Sequence, residues 1–99
     1  MMADIQTNGF EVTPAIRAQV DKTAAKILKL DERVMTINVF LEIQKRKDDN
    51  GCAVTYKIGC PGRDIVVKEK GVNLYDCLSQ AQKSVTREVR KEKEKNQPR

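Results

Sequence analysis

Apolar residues recur along this chain first at helical spacing, then at strand spacing, then at helical spacing again. Ile16, Val20, Ala24 and Ile27 lie three and four apart and predict one buried face of a helix from Pro14 to about Leu30. Thr13-Pro14 opens it: the Thr hydroxyl can accept from an orphan N–H, and proline at the first helical position has no N–H to leave unpaired. The polar run Asp31-Glu32-Arg33 ends it. From Met35 to Gln44 the period becomes two, with Met35, Ile37, Val39, Leu41 and Ile43 on one face and Thr36, Asn38, Phe40, Glu42 and Gln44 on the other. Cys52, Val54, Tyr56 and Ile58 alternate with Ala53, Thr55 and Lys57. Asp64 to Lys70, around Ile65-Val66-Val67, reads as another strand, and the stretch around Met2 to Thr7 as a short first one closed by Asn8-Gly9. Leu74, Leu78, Ala81, Val85 and Val89 then restore helical spacing from Leu74 to Lys95, with Asn73 as the cap.

The connections are equally explicit. Lys45 to Gly51 predicts a charged loop. Cys60-Pro61-Gly62-Arg63 predicts a tight turn with proline second and glycine third, where positive φ is needed. The order is β-α-β-β-β-α, an α+β domain. A helical crossover makes the first two strands parallel, and short loops make the remaining pairs antiparallel. The result is a four-stranded mixed sheet with two parallel helices on its one strongly apolar face. No repeat or linker divides the chain: residues 1–95 form one domain and 96–99 a frayed end.

Charge adds a second pattern. The chain carries 19 Lys plus Arg against 14 Asp plus Glu, a net +5, so the position of the excess matters more than its size. Opposite the apolar stripe, the first helix presents Lys22, Lys26 and Lys29, with Arg33 just beyond it. The second presents Lys83, Arg87, Arg90 and Lys91, with Lys93 and Lys95 at its end. Two helices, each dry on one side and basic on the other, offer positive charge to a polyanion, RNA first among them. Charged outer faces are also ordinary solubilising surface. Cations near helix C-termini stabilise the helix itself, and Glu88, Glu92 and Glu94 stand where they can pair with Arg87, Lys91 and Lys95. Both readings stand on these residues. The first gains from the absence of acids among the mutually facing basic positions.

Composition narrows the chemistry. There is no His, which removes the commonest general base and metal ligand. Two Phe, two Tyr and no Trp make a poor platform for stacking single-stranded bases. Cys52 and Cys60 are eight apart with no His to complete a metal cage, Cys77 falls on the inner helix face as core, and none is assigned a redox role. Ser79 and Ser84 lack a neighbouring base. Gly59 and Gly62 make a turn, not a phosphate loop, and Asp31-Glu32 has no mark of a catalytic dyad. The expectation is no enzyme, no cofactor and no metal. An odd cysteine count without a leader, and no long apolar run, predict a cytoplasmic protein.

The segments DIQTNGFEVTPAIR and LYDCLSQAQKSVTREVRKEKEK, with the Lys26 and Lys29 spacing, resemble the ribosome hibernation promoting factors, the bacterial family that includes the ribosome-associated inhibitor protein Y. The resemblance implies a fold akin to double-stranded RNA-binding domains. It implies binding to the small ribosomal subunit and its rRNA in the channel used by messenger and transfer RNA, in stationary phase or stress, so that idle ribosomes are silenced and preserved. It also implies that Lys22, Lys26, Lys29, Lys83, Arg87, Arg90 and Lys91 contact rRNA. Thr23 and Ser84 stand where the family usually has basic residues, with Lys22 and Lys83 beside them. Ending at Arg99 with neither an acidic tail nor a dimerisation domain, the chain resembles the short, pairing-promoting type, monomeric when isolated. Two other readings remain open: a generic double-stranded RNA module, and a self-associating domain using the outer sheet face around Phe40, Thr55 and Lys57. Tyr75, at a helix start, is expected to pack against the sheet in preference to stacking on a base. Lys45-Arg46-Lys47 is expected to be a solvated loop that keeps a hairpin soluble.

Overall fold

Four strands and two helices follow in the order β1 (Asp4–Asn8), α1 (Pro14–Leu30), β2 (Thr36–Lys45), β3 (Asn50–Cys60), β4 (Arg63–Gly71) and α2 (Leu74–Lys95) in the computed structural model, which describes residues 3–45 and 50–95. The predicted caps are in place. Thr13 accepts from the Ile16 N–H at 3.2 Å. Asn73 accepts from the Tyr75 N–H at 2.9 Å and from the Asp76 N–H at 3.4 Å, which starts α2 where its apolar period begins. Gly62, at φ +84°, takes the third place of the β3–β4 turn, a conformation that costs a residue with a Cβ.

The strands lie side by side in chain order, β1 parallel to β2 and the other pairs antiparallel. One row across the inner face, Ile5, Val39, Tyr56 and Val67, shows the register. This pairing makes β1 and β4 run the same way, so the helices that return from them are parallel to each other. Both cover the same face. Val20, Ile27, Val39, Leu41, Val54, Tyr56, Ile58, Leu78, Val85 and Val89 are almost wholly excluded from solvent between helices and sheet. Burying each such aliphatic side chain is worth roughly 1.5–3 kcal/mol, which lets two amphipathic helices hold their charged faces outward. The other sheet face, with Phe40, Lys57, Val66 and Lys68, is left uncovered by either helix.

Three expectations need correction. Met35 is not on the inner face of β2; it is 55% exposed, ahead of the strand, with its N–H bonded to Gly59 O at 2.8 Å, and Val34 fills the core there instead. The chain is still turning after Asp31, so the alternation begins one residue later. The Lys45–Gly51 loop is shorter than its charge suggests, because Lys45 pairs with Asn50 and Gln44 with Gly51 in the β2–β3 ladder. Ladder bonds are made by backbone, so polar side chains do not prevent them. Finally, β1 starts at Asp4. Met2, the loop residues Arg46 and Lys47, and the expected frayed end from Asn96 to Arg99 lie outside the described residues.

Candidate nucleic-acid interface

The basic residues are positioned by the buried stripes behind them. In α1, Val20, Ala24 and Ile27 face the sheet, which turns Lys22, Lys26 and Lys29 outward. These lysines span seven positions, about 10 Å of helix. In α2, Leu78, Ala81, Val85 and Val89 do the same for Lys83, Arg87, Arg90 and Lys91. All seven are exposed.

The structure brings the α1 group to α2. Lys22, Ala25, Lys26, Lys29 and Gln82 line a shallow groove of about 340 Å³ between the helices. Ala25 keeps it open by being small. Gln82, absent from the sequence-based set, is the α2 residue in this lining, and Lys83 follows it in the chain. A spacing argument confined to one helix does not find Gln82, because its place depends on how α2 lies beside α1.

The charge along these helices is only partly neutralised. Among the described residues, Lys22, Lys26, Lys29, Lys83 and Arg90 make no ion pair, whereas Arg87 and Lys91 share Glu88, with Nε and Nζ at 4.0 and 3.7 Å from its Oε1. Exposed pairs of this kind contribute about 0–1 kcal/mol, so a phosphate can replace Glu88 at small cost. Glu92 reaches away to Arg63 of β4, with Nη1 to Oε1 at 3.3 Å.

Other predicted or compared residues lie elsewhere. Arg33 is exposed but held: Nε and Nη2 donate to Asp31 Oδ1 and Oδ2 at 3.1 and 3.0 Å. That pairing holds the Asp31 carboxyl below its ordinary range despite burial, which opposes it; the Arg33 N–H and the charges of Arg33 and Lys93 add to the lowering. Thr23 is fully buried, its hydroxyl donating to Gln19 O at 3.1 Å, so this position is core here and adjacent Lys22 is the residue that reaches solvent. Ser84 donates to Glu69 Oε1 at 2.7 Å and ties α2 to β4. Tyr75 does not pack under the sheet as expected; it is 49% exposed, because Leu74 and Cys77 take the inward positions of the first helical turn. Cys77 is core, as expected. Among the described residues no helix is long and apolar enough to cross a membrane.

An α+β domain with one bare sheet face and one basic two-helix face is the class these features define. The chain belongs to the Sigma 54 modulation protein / S30EA ribosomal protein family, whose profile matches residues 3–97. That membership agrees with the resemblance in its opening segment and last helix. The fold is also that of a ribosomal subunit interface protein from Coxiella burnetii, with a TM-score of 0.75 and 18% identity over 94% of this chain and 98% of that one. The N-terminal domain of Thermus thermophilus protein Y has the same fold, with a TM-score of 0.75 and 21% identity over 92% of this chain and 98% of that one. No curated protein matches the chain in sequence.

Proposed function

We propose that this protein is a ribosome hibernation factor that lays its two-helix basic face on small-subunit rRNA in the channel used by messenger and transfer RNA. Occupancy there blocks initiation and preserves the idle particle in stress or stationary phase. The observation that carries the reading is the groove of Lys22, Lys26 and Lys29 against Gln82, which Lys83 follows in α2, with no acid paired to any of these cations among the described residues. Family membership and a structural relative described as a ribosomal subunit interface protein support the ribosome as partner.

The mechanism is competition without bond chemistry. Each Lys or Arg that neutralises a phosphate releases condensed counterions, so affinity falls steeply with salt. Seven such contacts correspond to a loss on the order of a thousandfold or more between 50 and 200 mM salt. Lysines spread over about 10 Å of a rigid helix match the spacing of a phosphate backbone and recognise its shape. Gln82 adds a neutral donor and acceptor for a ribose hydroxyl or phosphate. No catalysis, cofactor or metal belongs to this reading, and the isolated protein is a cytoplasmic monomer.

Sedimentation with ribosomes through sucrose gradients at low and moderate salt tests it. Wild-type protein should travel with the small subunit, and Lys26→Glu and Arg87→Glu should stay at the top. Wild type that stays at the top at every salt overturns the proposal. Equal binding to free double-stranded RNA would favour a generic RNA module instead, although Leu74 to Gln82, the start of α2, contains no Lys or Arg.

A further inference from the structure

Cys52, at the start of β3, and Cys77, in the first turn of α2, are 25 residues apart in sequence, yet their Sγ atoms stand 3.5 Å from each other. Both are buried, at 5% and 2% exposure. Three features hold the sulfurs together. Cys52 Sγ donates to Gly71 O at 3.4 Å, and Cys77 Sγ lies 3.8 Å from Cys52 O. Gly71 is the register partner of Cys52 on β4, and a Cβ there would come within 2.9 Å of Cys77 Sγ. The glycine therefore leaves the space that the second sulfur occupies.

We propose that Cys52 and Cys77 form a modification site: a dithiol that hydrogen peroxide closes to an intramolecular disulfide, fastening the first turn of α2 to β3. A bonded pair needs about 2.05 Å between sulfurs, so each atom has to move by roughly 0.7 Å. Cys77 stands two residues along α2 from the exposed Tyr75, and opening of the first helical turn gives a small oxidant access. A thiolate of the pair attacks one peroxide oxygen, the O–O bond breaks, and the leaving hydroxide is protonated to water. The second sulfur then attacks the sulfenic sulfur, the S–O bond breaks, and a second water leaves. The two sulfurs lose two electrons and one hydrogen peroxide becomes two waters. Burial and then the Cys52 thiol push the Cys77 thiol up to about 11, with Asp76 and Glu69 adding to the rise. Cys77 is thus protonated at neutral pH, and the pair closes only under sustained oxidant.

This inference does not depend on ribosome binding. Full-length protein is treated with hydrogen peroxide, alkylated, and analysed by intact mass, peptide mapping and thermal melting. The expected result is loss of two hydrogens, a Cys52–Cys77 linked peptide, Cys60 still alkylated, and reversal by a thiol reductant. Cross-linking a loop of this length should raise Tm by roughly 10 °C or more. The Cys60→Ser variant should behave as wild type, and Cys52→Ala should lose both the linkage and the Tm rise. Linkage through Cys60, separate oxidation of the thiols to sulfinic acids, persistence of the free dithiol in excess peroxide, or a lowered Tm on closure each overturns the proposal. If Cys52→Ala does not fold, wild type and Cys60→Ser decide the matter alone.

Discussion

Arg33 grips the Asp31 carboxylate with two parallel hydrogen bonds, Nε to Oδ1 and Nη2 to Oδ2, at the point where α1 ends. The Asp31 N–H bonds to Ile27 O at 3.0 Å, and the Arg33 N–H bonds to Asp31 Oδ1 at 3.0 Å. A short ionic turn closes the helix end, with the buried Asp31 carboxylate accepting from both the backbone N–H and the guanidinium of Arg33. The sign of its pH dependence follows from the lowered Asp31 pKa. The stabilisation is complete above the ordinary carboxylate value of 3.8 and is lost as pH falls through the lower folded value. Acid titration of Tm should therefore show a fall below about pH 4 that is shallower in Asp31→Asn. An equal acid slope in the variant would assign the fall to other carboxylates.

The same grip separates Arg33 from the cations proposed to meet RNA. Arg33→Gln should leave ribosome co-sedimentation within about twofold of wild type, while Arg90→Gln, which removes an unpaired exposed cation, should weaken it several-fold at moderate salt. Comparable losses from both would mean that Arg33 leaves Asp31 on binding.

Gly59 offers a test of sheet packing. A Cβ there would collide with the Thr36 hydroxyl across the β2–β3 pair. Gly59→Ala should cost up to about 1 kcal/mol in denaturant unfolding, because the exposed Thr36 side chain has to leave its rotamer. Adding Thr36→Ala should recover part of that loss, a coupling that two independent sites would lack.

Among the described residues the buried Tyr56 hydroxyl has no partner at hydrogen-bonding geometry. Burial pushes its pKa up to about 12 from an ordinary 10, and the neighbouring Thr23 hydroxyl opposes that rise. The unfolded chain ionises first, so the contribution of this group is full below pH 10 and is lost between pH 10 and 12. Tyr56→Phe should be neutral or stabilising at pH 7, by up to about 1 kcal/mol, and should flatten the alkaline decline in Tm. A loss above 1 kcal/mol at pH 7 would show that the hydroxyl is satisfied by water.

Much of this architecture is legible along the chain because its causes are local. Thr13-Pro14, Asn73 and Pro61-Gly62 act within three or four residues, so caps and turn follow from residue types alone. The alternation Ile37, Val39, Leu41 and the helical spacing of Leu78, Ala81, Val85 and Val89 report which faces are dry, and by elimination which are basic. Ambiguity begins where an element ends. Met35 and Lys45 carry side chains that fit either side of a boundary, and hydrogen bonds to Gly59 and to the Asn50 strand decide them.

What the sequence by itself determined is therefore the set of elements, their order and the sign of their outer faces, each a property of neighbours along one segment. Only the tertiary structure decided which distant side chains share a space. It set Gln82 against the lysines of α1, Ser84 on Glu69, Arg63 on Glu92, and the sulfur of Cys77 beside that of Cys52. These pairings depend on how far α2 lies along the sheet and how it is rotated. That placement is fixed by close packing of Leu78, Val85 and Val89 against Tyr56 and its neighbours, a constraint spread over the whole core and written in no single stretch of chain.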